Sequence, residues 1–588
     1  MIKKLIQNKA FSYSITSAAL VMMIAILGVK VTGFLRQALY SQSFGSQLDV
    51  FYAANLIPEV IFNIIALGSI NAVLIPVMTK AIAKEGNVKA SHIFSSIINV
   101  GILVLTISSI LMAIFTPALV DYAQQLKLIA KFNGVQLDQL VIMMRLLLIS
   151  PAILGMSSVI SAMLHIKRHF LITQLSPLVY NLSGIFALFT FVPFFGIYGL
   201  AYGVILGSVL HLVIQIPSFK SININYSFKA FDLKNKYTKD TGRLMAPRLF
   251  SLAGEQIVFI VQTIIALFFP LGAALYTFRN AMLIRDIPIS LFGVTLAQAA
   301  FPTLSAAATD NDITNFKKYF IRTFQQIVFF VAPFTAFILV LRLPIARMAF
   351  GVGDGQVSWD DTKVTAMIIF FMALGILWMA LVNLMVRAFY SLSNTIIPVV
   401  VSLVCVTIEI VLSLGFANMF SYLSDTELSH FFNIFKDHNL WELLTSPNIN
   451  GKGAIIGVAL ASAIGSFIQI VILSYFLSKK IRVFKKDFFI ALGKKLASAI
   501  LLGISAYITM LVTERFLPTN KTFNVLIVLC ASFIVSFSVY LFSEFLLSDD
   551  EFSLIRKMYK KIKGVIMRNR KILNQVYKSF IISQEKKQ

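Results

Sequence analysis

The chain has 588 residues, 58% of them hydrophobic and only 13% charged, with a mean hydropathy of +0.83. Water-soluble domains carry about 25% charged residues, so this composition cannot clothe several soluble domains, and a soluble enzyme is excluded. The charge present is lopsided, 51 Lys and Arg against 26 Asp and Glu for a net +25. In so apolar a chain that excess reads as basic loops on one side of a membrane, not as a nucleic-acid footprint.

A helix needs about 20 apolar residues to cross a bilayer. The opening Met1-Ile-Lys-Lys precedes an apolar stretch with no small-x-small cleavage site before Lys30, so it reads as an uncleaved first span. Spans follow in order near 14–36, 51–79, 92–116, 138–164, 171–193 and 197–217. A basic linker comes next, and then spans near 244–269, 273–306, 319–341, 364–388, 395–420, 453–478, 488–512 and 523–547. The expected fold is an all-α polytopic membrane protein with about fourteen transmembrane helices. Cys405 and Cys530 both lie in apolar runs and imply no disulfide framework.

The loops orient the spans. Lys80, Lys84 and Lys89, then Lys167 and Arg168, the linker, Lys317 and Lys318, and the group Lys479, Lys480, Arg482, Lys485 and Lys486 fall on alternate loops, the side of the Lys-rich N-terminus. The opposite loops are short, mixed or acidic, as around Asp425, Glu427, Asp437 and Glu442. Both termini are therefore expected in the cytoplasm. From Arg556 onward eleven Lys and Arg face a single acid, Glu585, with apolar residues at helical spacing. That tail reads as a basic amphipathic helix lying on anionic lipids.

The two halves repeat. Gly199-Leu-Ala-Tyr-Gly203 through Gly207-Ser208 parallels Gly453-Ala-Ile-Ile-Gly457 through Ala461-Ser462, with Gln215 and Gln469 following in register. Arg168-His-Phe170 with Pro177 likewise parallels Arg387-Ala-Phe389 with Pro398. An offset of six spans preserves orientation, so two six-helix lobes form a parallel repeat, a transporter architecture with its site between the lobes. The expected organisation is an N-terminal lobe over 1–217, a linker over 218–243, a second lobe over 244–480, two extra helices over 481–548 and the basic tail over 549–588.

Ionisable residues inside spans are costly and normally face a cavity or a partner. Span seven carries Arg248, Glu255 and Gln262 at i, i+7 and i+14, a spacing that returns to within about 20° of one face. Span eight aligns Arg279 with Asp286, span two sets Asn55, Glu59 and Asn63 on one side, and span eleven presents Cys405 and Glu409. Lys30 and Arg36 of span one are six residues apart; a bend at Gly33 would turn both inward. Such a cavity suits an anionic substrate, because arginine pairs bidentately with phosphate oxygens. Glu255, Gln262 and Glu409 are candidates for a coupling cation, Na+ or H+, with the membrane potential as the other energy source. Plainer alternatives stand beside this one: Arg36, Arg248 and Arg279 snorkel from span ends, or Glu255, Arg279 and Asp286 form a structural ion-pair cluster. The sequence contains no G-x-x-x-x-G-K-[ST], H-E-x-x-H or G-x-S-x-G pattern, so the expectation is a secondary transporter without metal or catalytic machinery.

Val29-Lys30-Val-Thr-Gly33-Phe-Leu-Arg36, then Phe44-Gly45, Asp49-Val-Phe51 and Ile57-Pro58, resembles the opening of the MurJ/MviN family of lipid II flippases. Gly68 through Ile75-Pro76-Val77, Phe292-Gly293-Val294, Phe301-Pro302-Thr-Leu-Ser305 and Arg387-Ala-Phe389-Tyr390-Ser391 continue the pattern, which covers about 14–480. The resemblance implies the multidrug/oligosaccharidyl-lipid/polysaccharide exporter superfamily. It also implies alternating-access transfer of undecaprenyl-pyrophosphate-linked peptidoglycan precursor across the bacterial inner membrane. Arg36 matches an arginine of the family's cationic cavity, Lys30 stands where another arginine is usual, and Asp49 and Asp286 match its acidic positions. Spans thirteen and fourteen would form a groove for the lipid tail. The pattern departs at Phe62-Asn63 and at Met282-Leu283, where arginines are usual; Arg279 lies one turn before Leu283 on the same face. The expected substrate-binding set is Lys30, Arg36, Asp49, Glu59, Asn63, Arg248, Glu255, Arg279 and Asp286. The expected partners are lipid II or a related lipid-linked glycan, anionic lipids at the tail, and other cell-wall synthesis proteins, with no nucleic acid. An exporter of another polyprenyl-pyrophosphate-linked oligosaccharide, and a cation-coupled drug antiporter, are the alternatives.

Overall fold

The structure, a computed structural model, describes residues 15–64, 71–129, 132–167, 169–232, 234–268, 274–350, 357–422, 453–481, 483–484, 486–517 and 522–547. The basic tail and most of the acidic 421–450 loop lie outside the described residues, as does Arg168. No strand occurs among the described residues. The first half contains α1 (Ile15–Phe44), α2 (Leu48–Ile61), α3 (Asn71–Gln125), α4 (Gly134–Leu147), α5 (Ser150–Ile166), α6 (Phe170–Thr190) and α7 (Tyr198–Val213). The second contains α8 (Lys236–Phe268), α9 (Ala274–Pro288), α10 (Thr295–Thr309), α11 (Ile313–Val340), α12 (Arg342–Phe350), α13 (Trp359–Ser391), α14 (Ile396–Tyr422) and α15 (Gly453–Ile481). Two more helices, α16 (Lys486–Phe516) and α17 (Thr522–Leu547), complete the described chain.

Among the described residues, 11 helical stretches are long and apolar enough to cross a membrane. The other expected spans fall on α1, on α2 with the start of α3, and on α8. Local chemistry sets several helix starts. Asn133 and Gln136 close a reciprocal capping box at α4, and the Ser358 hydroxyl accepts from the Asp361 amide at α13. Helix α3 is broken at Gly86, whose φ of 75° no side-chain-bearing residue adopts readily. Leu74 and Met78 before the break and Ile93 and Phe94 after it enter one buried cluster with Val159 and Met163 of α5.

The packing repeats with the offset of six spans. α1 packs on α6 as α8 packs on α14, α6 on α7 as α14 on α15, and α5 on α7 as α13 on α15. The paired glycines do the same work in each lobe. A Cβ at Gly203 would lie 2.6 Å from Ala187 Cβ, and one at Gly457 would lie 2.6 Å from the Phe416 carbonyl carbon. Small residues there let neighbouring backbones approach closely. The α16–α17 pair packs on α11, where the Tyr540 hydroxyl donates to the Phe329 carbonyl at 2.8 Å.

The linker differs from expectation in extent. α8 already begins at Lys236, and the stretch before it is strapped onto α3. Asn99 Nδ2 donates to the carbonyls of Ser227, Phe228 and Ala230 at 3.0, 3.2 and 2.9 Å. The Tyr226 hydroxyl donates to Asn99 Oδ1 at 2.6 Å, and the Asp232 amide to Ser96 Oγ at 2.9 Å. One α3 face thereby satisfies backbone groups of a segment with no regular structure of its own. The first turns of α8, through Tyr237 and Met245, pack on the same cluster.

Candidate functional site between the lobes

α1 runs unbroken through Gly33 to Phe44. The glycine is there for contact rather than for a bend: its Cβ would lie 3.2 Å from Asn181 Nδ2, which donates to the Val29 carbonyl at 3.1 Å. Arg36 therefore sits two turns inside the helix, not at its end. Its Cζ lies 5.5 Å from the ring centroid of Tyr180 on α6 and 5.9 Å from that of Tyr40. Among the described residues Arg36 makes no ion pair, and its buried Nε has no hydrogen-bond partner.

Arg279 reaches across from α9 to the other lobe. Its Nη2 lies 3.1 Å from Glu59 Oε2 on α2, and its Cζ lies 4.3 Å from the Phe259 centroid and 5.6 Å from that of Tyr52. Among the described residues, Arg279 Nε is also buried without a partner. Asn55 Nδ2 donates to the same Glu59 oxygen at 3.4 Å, and Asn63 Nδ2 donates to Gln256 Oε1 of α8 at 3.4 Å. Tyr52 lies in electrostatic range of Arg36, Arg279 and Asp49 together, so the two arginines converge on one region. Aromatic faces attract such cationic heads while the side-chain stems stay dry.

The remaining expected site residues are placed as follows. Lys30 is part-buried on α1 and makes no hydrogen bond or ion pair among the described residues. Arg248 and Glu255 lie on α8 with side chains outside the described residues. Asp286 pairs with Arg285, Nε to Oδ1 at 2.9 Å, and not with Arg279. Glu409 accepts from Gln262 Nε2 at 3.0 Å, against Gly465, where a Cβ would lie 3.3 Å from Glu409 Cβ. Arg285 and Ser462 are its other polar neighbours. No group of three His, Cys, Asp or Glu able to hold a metal occurs among the described residues. Pro288 ends α9, and the π-helical turn Ile289–Val294 follows. There Gly293 admits α13, since a Cβ would lie 2.7 Å from Ala380 Cβ.

A neutral network, which the sequence patterns do not reveal, joins the lobes where α1 ends and α9 begins. Asn280 Oδ1 accepts from Gln37 Nε2 at 2.5 Å and from Ser41 Oγ at 3.2 Å. Asn280 Nδ2 donates to Ser41 Oγ at 3.1 Å, and the Tyr52 hydroxyl donates to Gln37 Oε1 at 2.7 Å. Beside it Asp49 Oδ1 accepts from the Tyr276 amide at 2.7 Å, a carboxylate on the first turn of α9 where the helix dipole favours it. Every one of these side chains is buried. Polar amides inside a span were the only available signal, and among so many hydroxyls and amides that signal is weak.

The fold and site define a two-lobed multi-pass membrane carrier with an arginine-bearing interlobe face. A solved structure described as lipid II flippase MurJ in an inward closed conformation superposes with a TM-score of 0.68, at 19% identity over 89% of this chain and 98% of that one. An inward-facing multidrug resistance transporter of the MATE family and the MOP superfamily superposes at 0.58, with 13% identity over 81% of this chain and 98% of that one. The family model described as lipid II flippase MurJ matches residues 41–424. The chain is 23% identical over 411 residues to a probable lipid II flippase MurJ of Buchnera aphidicola subsp. Baizongia pistaciae, covering 67% of this chain and 76% of that relative. It is 22% identical over 383 residues to the lipid II flippase MurJ of Burkholderia cenocepacia, covering 64% and 73%. The chain belongs to the MurJ family.

Proposed function

We propose that the chain is a lipid II flippase of the bacterial inner membrane, carrying the undecaprenyl-pyrophosphate-linked precursor from the cytoplasmic to the outer leaflet by alternating access. The observation that carries this reading is Arg36: a guanidinium two turns inside α1, supported by rings, with no acid partner among the described residues. A part-buried cation without a counter-charge favours an anionic ligand, and a pyrophosphate supplies that anion. Arg279 is the second ligand, released when substrate displaces Glu59, and Lys30 is the third. The lipid tail stays in the bilayer, with α16 and α17 as its groove.

With both termini cytoplasmic, the Asn280–Gln37–Ser41 network and the Asp49 cap form the outer closure. The packing of Tyr237 and Met245 on the N-terminal lobe belongs to the inner one. Translocation requires these two closures to break in turn. The return of the empty carrier draws on the membrane potential, worth ~2.3 kcal/mol per charge per 100 mV, or on a cation. One carboxylate, an amide and a hydroxyl at Glu409, Gln262 and Ser462 form a set that fits a proton or a monovalent ion better than a divalent one. The basic tail anchors to anionic lipids of the cytoplasmic leaflet, and cell-wall synthesis proteins are further candidate partners.

Depletion of the protein is expected to make lipid II accumulate in the cytoplasmic leaflet, and Arg36→Ala should fail to restore it. An unchanged leaflet distribution, with loss of some other surface glycan, would instead assign the carrier to a different polyprenyl-pyrophosphate oligosaccharide.

A further inference from the structure

Two uncharged residues of α6 determine where the Arg36 side chain can be. Tyr180 offers its ring at 5.5 Å from the guanidinium carbon. One turn later Gly184 offers empty space: a Cβ there would lie 2.7 Å from Arg36 Cδ and 2.6 Å from the Tyr40 hydroxyl. Positions four apart share a helix face, so α6 presents a ring and a gap side by side to α1. The Arg36 stem runs through the gap, and its head lies by the rings of Tyr180 and Tyr40.

The two arginines differ in what holds them. Arg279 is tied to Glu59 at 3.1 Å, so part of its attraction for an anion is already used. Arg36 has two rings and the Tyr180 hydroxyl instead of an acid, and among the described residues its buried Nε lacks an acceptor. Aromatic faces fix a guanidinium without neutralising it, and a planar fork held in one orientation loses little freedom on meeting a phosphate. We propose that Tyr180 and Gly184 are positioning residues for substrate recognition, holding the Arg36 guanidinium oriented toward the pyrophosphate. This rests on the reading that Arg36 binds that group.

The test uses the full-length protein in nanodiscs, with labelled lipid II and undecaprenyl pyrophosphate as probes, and thermal unfolding as a check on folding. Tyr180→Leu is expected to weaken binding about fivefold to tenfold, within the range of a desolvated cation–ring contact. Tyr180→Phe, which keeps the ring but not the hydroxyl's hydrogen bond with Arg36, should recover part of that loss and bind more tightly than Tyr180→Leu. Gly184→Ala should lose as much as Arg36→Ala, because the stem must leave the gap. In an Arg36→Ala background neither Tyr180→Leu nor Gly184→Ala should cost anything more, which a general packing defect would not reproduce. The Tyr180 pair carries the test even where Gly184→Ala unfolds. Wild-type affinity in Tyr180→Leu, or an undiminished loss when Arg36 is absent, overturns the inference. Wild-type affinity in Arg36→Ala overturns the site reading itself, and this inference with it.

Discussion

Asn280→Leu is expected to open the carrier at the end where α1 meets α9. The substitution removes the acceptor of Gln37 Nε2 and the partner of Ser41 Oγ, and Ser41 and Asn280 are both 0% exposed. Two buried polar groups are left unpaired at about 1–3 kcal/mol each. These bonds cross between lobes and exist only while that end is closed, so the penalty of about 2–6 kcal/mol falls on the closed state. At 1.36 kcal/mol per tenfold, the closed-to-open ratio drops by about thirtyfold at the low end of that range. Spin labels at Ser46→Cys and Phe268→Cys, on exposed positions of the two lobes, report the separation by electron–electron distance measurement. Cys530, the exposed native thiol, is replaced by serine so that it takes no label. The distribution should move to longer distances in Asn280→Leu. An unchanged distribution would mean that these bonds do not hold the closure, and the outer-closure argument would fail.

Three further outcomes follow from other parts of the fold. Gly457→Ala sets a Cβ 2.6 Å from backbone atoms of Phe416, so it should destabilise by about 1–3 kcal/mol, read as a lowered thermal midpoint; Gly415→Ala, where a Cβ meets nothing within 4 Å, serves as its control. Asn99→Ala removes the one amide nitrogen that three linker carbonyls share, so limited proteolysis between residues 222 and 235 should accelerate while α3 itself stays protected. At the start of α11, hydrogen bonds from the Asn315 amide and side chain hold the Asp312 carboxyl below its ordinary value of 3.8. Its contribution to the helix start is therefore fully present above that pH and lost on acidification through the lowered value. Hydrogen exchange in the first turn of α11 should rise there in the wild type and stay flat with pH in Asp312→Asn.

What the sequence made legible was whatever the bilayer enforces. Span lengths, the alternation of basic loops and the repeat around Gly203 and Gly457 are consequences of a solvent that tolerates few solutions, and the packing of α6 on α7 and α14 on α15 follows them. Charges inside spans were conspicuous for the same reason, so Arg36, Glu59, Arg279 and Glu409 stood out at once. What holds those charges did not. A ring is as ordinary in a membrane span as a leucine, and a glycine reads as a packing device wherever it falls, so Tyr180 and Gly184 carried no mark of their role. Only the placement of α6 beside α1 turns one into a support and the other into a passage. Gly33 shows the same ambiguity in reverse: a glycine considered for a bend serves contact with Asn181, and α1 continues through it as one helix to carry Arg36. Asn280 and Gln37 were hidden for a different reason, since neutral amides cost less than charges to bury and signal a role only when their partners on the other lobe are known. The charges inside the spans are local facts of the sequence. The rings and interlobe bonds that surround those charges belong to the tertiary arrangement.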